Sequence, residues 1–163
     1  MHLESRLVKF LPAAALIAAL ACSGVAAAQT APAAAPQTAE AFLAANAKLP
    51  GVKTTPSGLQ YKVTKAGPAG PSPKEGDAIK VHYEGKLPDG TTFDSTFGGK
   101  PMLAPLDGLV PGWMEAIPMM HVGDDWTLYL PPSLGYGERG AGPIPPNSAL
   151  VFRIQLLGML SAD

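Results

Sequence analysis

Apolar and polar residues alternate with a period of two through much of the chain. Ile79, Val81 and Tyr83 alternate with Lys80, His82 and Glu84, the pattern of a strand with one buried face. Pro88-Asp89-Gly90 then supplies a turn: proline presets φ, aspartate bonds its own backbone, and glycine accepts positive φ. Phe93 opens a return strand, so the stretch reads as a hairpin. Trp126, Leu128 and Leu130 alternate with Thr127 and Tyr129, and Leu150, Phe152, Ile154 and Leu156 alternate with Val151, Arg153 and Gln155. Leu59 to Lys65 adds a strand with Leu59, Tyr61 and Val63 on one face. Met102 to Leu106 adds a short edge strand. One helix is expected over Gly112 to His121, with Trp113 at its start and Ile117 and Met120 facing inward. Pro118 lacks an N–H and crowds the preceding turn, so this helix should be kinked or shortened. A second helix spans Ala39 to Leu49, capped by Thr38 and ended by Pro50-Gly51. At about three turns it is marginal alone in water, and no long helical dimerisation arm is expected. The sum is an α+β chain: an antiparallel, about five-stranded half-barrel sheet wrapped on one short helix.

Composition agrees with this picture. Gly and Pro each occur 18 times in 163 residues, which suits a turn-rich sheet. The net charge of −1 gives no reason to expect nucleic acid or an anionic membrane surface as a partner. Residues 1–28 have the layout of an export signal. Arg6 and Lys9 supply positive charge, Phe10 to Ala21 is an apolar run short of a bilayer span, and Ala26-Ala27-Ala28 offers a small-residue cleavage site. The reading is an exported, periplasmic protein with no stable membrane insertion after cleavage. Two alternatives stand behind it: a retained N-terminal anchor, and a lipoprotein held by lipid on Cys22. The second is ranked lower because Ala19-Leu20-Ala21 lacks leucine in the usual place. Cys22 is the only cysteine, so the cleaved chain would contain no disulfide. Residues 29–38 read as a disordered low-complexity linker, 39–50 as the short N-terminal helix, and 51–163 as the main domain.

Tyr83, Phe93 and Asp94 are unusual company on one hairpin. Taken alone they allow two readings, ordinary core rings with a turn cap, or the wall of a pocket. Downstream follow Val110-Pro111-Gly112-Trp113, then Leu130-Pro131-Pro132-Ser133-Leu134-Gly135-Tyr136-Gly137, then Ile144-Pro145-Pro146-Asn147, then Leu150-Val151-Phe152. In this order and spacing the motifs resemble the FKBP-type peptidyl-prolyl cis-trans isomerases, in particular exported bacterial members of the FkpA and Mip kind. The resemblance runs from Thr55 to Met159.

The resemblance implies an X–Pro isomerase (a rotamase) that assists protein folding. Tyr83, Asp94 and Tyr136 would be its catalytic residues. Tyr136 would donate its hydroxyl to a substrate carbonyl, and Asp94 would be a buried carboxylate bonded to the Tyr83 hydroxyl. Trp113 would form the floor under the proline ring, with Phe93, Leu109, Val110, Ile144 and Phe152 as substrate-binding walls. The implied partners are proline-containing unfolded or partly folded polypeptides, and macrolides such as tacrolimus. No cofactor is implied. No metal is expected either, because His82 and His121 have no ligand at metal-binding spacing. Ser133 lacks the context of a nucleophile elbow.

The chain departs from the family pattern in one strand. Where most members carry phenylalanine, Met102-Leu103-Ala104-Pro105-Leu106 places Ala104, or Leu103 if the register slips by one. This thinner wall keeps a second reading open, a non-catalytic chaperone or ligand-binding module on the same scaffold. The N-terminal pattern makes its own prediction: intact mass of the natively produced protein should place the mature N-terminus at Gln29. Retained Met1, or a lipid on Cys22, would contradict it.

Overall fold

The computed structural model describes residues 38–161. The export signal, Cys22 and all of the linker except Thr38 lie outside the described residues. In order, the elements are α1 (Ala39–Asn46), β1 (Val52–Thr54), β2 (Gln60–Lys65), β3 (Ala78–Lys86), β4 (Thr92–Ser95), β5 (Met102–Pro105), α2 (Pro111–Ala116), β6 (Asp125–Leu130) and β7 (Leu150–Leu160). The strands form one antiparallel sheet in the order β1-β2-β6-β7-β3-β4, with β5 also paired to β3. β3 has nine residues, and it pairs through its first half with β5 and through its second half with β4. Among the described residues the sheet has seven strands rather than about five. β1 escapes a periodicity reading because three residues are too few to show an alternation.

The alternation along each strand explains the layers. Ile79, Val81, Leu128, Leu130, Leu150, Phe152, Ile154 and Leu156 all point into one core with Trp113, Ala116, Ile117 and Met120. The sheet therefore packs its inner face on α2. Gly112 permits this contact, since a Cβ there would lie 2.6 Å from the Leu130 side chain. As expected, Pro118 ends the α-helix early: α2 stops at Ala116 and one 3₁₀ turn, Ile117–Met119, completes the segment. Val63 is the exception to the alternation, 39% exposed. Tyr61 lies flat on Trp126, with centroids 4.8 Å apart at 10°.

Helix α1 docks on the opposite face of the sheet. Thr38 caps it by accepting from the Ala41 N–H at 3.2 Å. Buried Asn46 donates to Gln60 Oε1 at 2.8 Å, and Gln60 donates to the Leu43 carbonyl at 2.9 Å. The ring of Phe42 meets Tyr129 at 6.3 Å. These contacts explain how a helix of eight residues persists, because tertiary packing supplies what so short a segment lacks alone. Among the described residues, no helix is long and apolar enough to cross a membrane.

Two adjacent carboxylates tie the strands together. Asp124 is almost fully buried and accepts from the Gly67 N–H at 2.5 Å, the His121 N–H at 2.9 Å and the Trp126 indole at 3.0 Å. Asp125 accepts from Arg153 Nη2 at 2.6 Å and Gln155 Nε2 at 2.8 Å. Burial alone would raise the Asp125 pKa. The bonds from Arg153 and Gln155, with the charges of Arg153 and Lys65, outweigh burial and hold it below the usual value. A carboxyl depressed in the folded state contributes stability above its unfolded pKa, and that contribution is lost as pH falls through the folded pKa. Asp125→Asn should therefore cost about 1–3 kcal/mol at pH 7 in urea unfolding. The gap to wild type should narrow below about pH 4, where the carboxylate of the unfolded chain takes up its proton.

Candidate active site

β3 and β4 carry the first part of the site. Opposite β4, the register shifts between Gly85↔Asp94 and Lys86↔Thr92, which leaves Phe93 as an extra residue in a bulge. A bulge breaks strict alternation, so the consecutive residues Phe93 and Asp94 both serve the inner side. Phe93 lies over Gly85, and a Cβ at position 85 would come within 2.5 Å of the Phe93 ring and 2.8 Å of Phe152. Asp94 accepts a hydrogen bond from the Tyr83 hydroxyl. It does so as an exposed residue, not as the buried carboxylate expected. β4 is an edge strand, and its carboxylate reaches the pocket rim rather than the interior.

Four rings converge behind that rim. Trp113, in the first turn of α2, meets Tyr83 at 5.2 Å and 78° and Phe152 at 5.2 Å and 88°. Phe93 meets Phe152 at 5.6 Å and 87°, and Tyr83 meets Phe152 at 6.5 Å and 56°. The near-perpendicular pairs aim ring edges at ring faces, each adding about 0.5–1.5 kcal/mol beyond the area buried. The indole N–H of Trp113 is buried without a hydrogen-bond acceptor. The Tyr83 pKa is pushed up to about 12, first by burial, then by its bond to Asp94 and the Asp94 charge, with a smaller contribution from Tyr136. A phenol is protonated at neutral pH even at its ordinary value of about 10, and the shift holds Tyr83 still further from ionisation, as a donor.

The other expected site residues take different positions. Tyr136 lies between the 3₁₀ turns Pro132–Leu134 and Gly137–Arg139, 39% exposed and close enough to influence Tyr83. Leu109 and Val110 are half-buried against the core. The Val110 carbonyl starts α2 by accepting from Trp113 and Met114. Ile144 is buried and bridges to Ala141 in the loop before β7. On β5, Ala104 sits opposite inward Ile79 and Met102 opposite inward Val81, while Leu103 faces solvent at 61% exposure. The register thus puts Ala104, not Leu103, on the inner face. Met102 packs against the core beside it, on the same inner side, where a reading limited to aromatic positions has no residue to mark. His82 faces outward, bonded through Nδ1 to Thr96 Oγ1 at 3.1 Å. A separate apolar cleft of about 610 Å³ runs between α1 and Pro131–Ser133, and none of the four rings lines it.

Comparison with known proteins places this arrangement in a family. The family model described as FKBP-type peptidyl-prolyl cis-trans isomerase matches residues 70–157. A second, described as the domain amino terminal to FKBP-type peptidyl-prolyl isomerase, matches residues 12–63. The chain is 52% identical over 121 residues to the FKBP-type peptidyl-prolyl cis-trans isomerase FkpA of Aeromonas hydrophila, covering 74% of this chain and 45% of that protein. It is 50% identical to the FKBP-type 22 kDa peptidyl-prolyl cis-trans isomerase of Escherichia coli (strain K12), covering 73% and 58%. Among solved structures, FkpA from Escherichia coli superposes with a TM-score of 0.73 at 41% identity, over 77% of this chain and 59% of that one. A peptidyl-prolyl cis-trans isomerase from Pseudomonas syringae superposes with a TM-score of 0.70 at 35% identity, over 74% and 90%. The chain belongs to the FKBP-type peptidyl-prolyl cis-trans isomerase family. It spans about half the length of the curated relatives it matches.

The tight approach at Gly85 yields a direct prediction. Gly85→Ala should force Phe93 and Phe152 apart and cost about 1–3 kcal/mol, the usual price of overpacking. Near-ultraviolet circular dichroism should lose intensity from the ring cluster. An unchanged spectrum and melting temperature would mean that the rings do not meet over position 85.

Proposed function

We propose that this chain is a peptidyl-prolyl cis-trans isomerase acting on proline-containing unfolded or partly folded polypeptides. The observation that carries the reading is the pocket of four rings with the Tyr83–Asp94 pair at its rim. An X–Pro bond turns over a barrier of about 18–20 kcal/mol because its C–N bond is partly double. Uncatalysed exchange takes tens to hundreds of seconds. In the twisted transition state that resonance is lost, so the carbonyl is less polar than in the planar amide. A dry apolar pocket favours the twisted state, and no nucleophile or metal is required.

In this reading Trp113 is the floor for the proline ring. Phe93, Leu109, Val110, Ile144 and Phe152 are the walls. Tyr136 donates its hydroxyl to a substrate carbonyl. Asp94 orients Tyr83 and lies beside the twisting bond. A macrolide such as tacrolimus would compete for the same apolar surface. Ala104, which adds no ring to the inner side of β5, favours a second reading, a chaperone or ligand-binding module with little turnover. We also read the chain as exported, with residues 1–28 as the signal, 29–38 as a linker, 39–50 as the short helix and 51–163 as the isomerase domain. In support, one relative, 45% identical over 125 residues, is named outer membrane protein MIP of Legionella longbeachae.

A protease-free assay of cis–trans exchange in a short X–Pro peptide tests the reading. Wild type should accelerate exchange, with a rate nearly flat between about pH 6 and 8 because no proposed step transfers a proton. Asp94→Ala should cut the rate roughly tenfold, about 1.4 kcal/mol of barrier, with a cooperative fold retained. Full activity in that variant would remove Asp94 from the site. Peptide binding without acceleration by wild type would favour the module over the enzyme.

A further inference from the structure

We propose that Phe97, on the outer face of the sheet, is a positioning residue that holds the Tyr83–Asp94 pair in register. The proposal rests on the isomerase reading. It starts from a weakness: β4 has four residues and pairs only with β3, and an edge segment so short is free to fray. The three residues after Asp94 counter this. Thr96 donates its N–H to the Tyr83 carbonyl at 2.9 Å and accepts from the Tyr83 N–H through Oγ1 at 3.0 Å. Tyr83 is thus held at its hydroxyl by Asp94 and at its backbone by Thr96, both from one stretch of chain.

Phe97 pins that stretch. Its ring stacks on His82 with centroids 5.5 Å apart at 20°. The Arg153 guanidinium lies over the ring, 5.0 Å from the centroid. A cation over an aromatic face is attracted by the ring quadrupole, and Arg153 is itself fixed by Asp125. The loop after β4 is therefore tied across the outer face to β3, β7 and β6. Immediately beyond Phe97, Gly98 turns at φ 86°, so the chain turns away there. Releasing the ring would let Thr96 and Asp94 move together, and with them both grips on Tyr83. The plainer role, a surface ring covering the sheet, predicts a loss of stability without a local effect on residues 83–96.

The test compares wild type with Phe97→Ala and, as rescue, Phe97→Tyr, by amide hydrogen exchange in NMR and by X–Pro exchange rate. In Phe97→Ala the Tyr83 and Thr96 amides should exchange about tenfold faster while amides of β6 keep wild-type protection. The isomerisation rate per folded molecule should fall about three- to tenfold, as expected when a reacting geometry loosens. The affinity for a short X–Pro peptide should change less than the rate, since Trp113, Ile144 and Phe152 lie outside β4 and keep their places. Phe97→Tyr should restore both exchange and rate. Unchanged exchange at Tyr83 and Thr96 would overturn the proposal. So would a uniform acceleration that includes β6, or a wild-type rate despite faster local exchange. The exchange measurement does not depend on turnover, so failure of this proposal and failure of the isomerase reading remain distinguishable.

Discussion

Phe93 and Phe152 can meet only because position 85 carries no side chain. A Cβ at Gly85 would come within 2.5 Å of the Phe93 ring and 2.8 Å of the Phe152 ring. Its absence lets the two rings close edge to face, which gives Trp113 a partner on Phe152 and brings Tyr83 into the same cluster. The bulge at Phe93 is the second half of this constraint. It turns Phe93 and Asp94 to one side, so a ring and a carboxylate adjacent in sequence serve one pocket. The apolar floor and the polar rim thus come from one short hairpin and the neighbouring β7 laid against one helix.

The two faces of the sheet divide the work. The inner face is dry and carries rings and aliphatic side chains. The outer face carries polar ties that cross strands, such as Arg153 between Asp125 and Phe97. Period-two alternation enforces this split, and helix α1 covers part of the outer face through Asn46, Gln60 and Phe42. Asp124 closes the inner layer by satisfying three N–H groups from three places in the chain. The bonds to Asp124 and Asp125 are charge-assisted hydrogen bonds made where water is partly excluded, the setting in which such bonds are strongest.

The ring cluster offers an apolar environment rather than a reagent. Burial and Asp94 both oppose the ionisation of Tyr83. Asp94 stays at the rim, where solvent compensates the remainder of its charge. In the proposed isomerase, rotation about a C–N bond would need low polarity and a fixed donor, and packing supplies both here. In the proposed reading, this is why β4, though an edge strand, matters out of proportion to its length.

The sequence by itself determined the strands other than β1, the shortened helix and the inward rings of Tyr83 and Phe152. These follow from local rules: alternation for Ile79, Val81, Tyr83 and Phe152, a missing N–H for Pro118, a side-chain cap for Thr38. It also marked Ala104 as a departure, because the family pattern can be read without coordinates. Tertiary structure decided what depends on residues far apart meeting. The need for glycine at position 85 becomes visible only when Phe93 and Phe152 arrive over it. The exposure of Asp94 depends on β4 being an edge, and the choice of Ala104 over Leu103 depends on pairing with Ile79. The docking of α1 could not be read from its eight residues, since the partners that hold it, Gln60 and Tyr129, lie on strands whose pairing the local pattern does not encode. Local propensity sets which way a side chain points. Only the packed fold sets what it meets there.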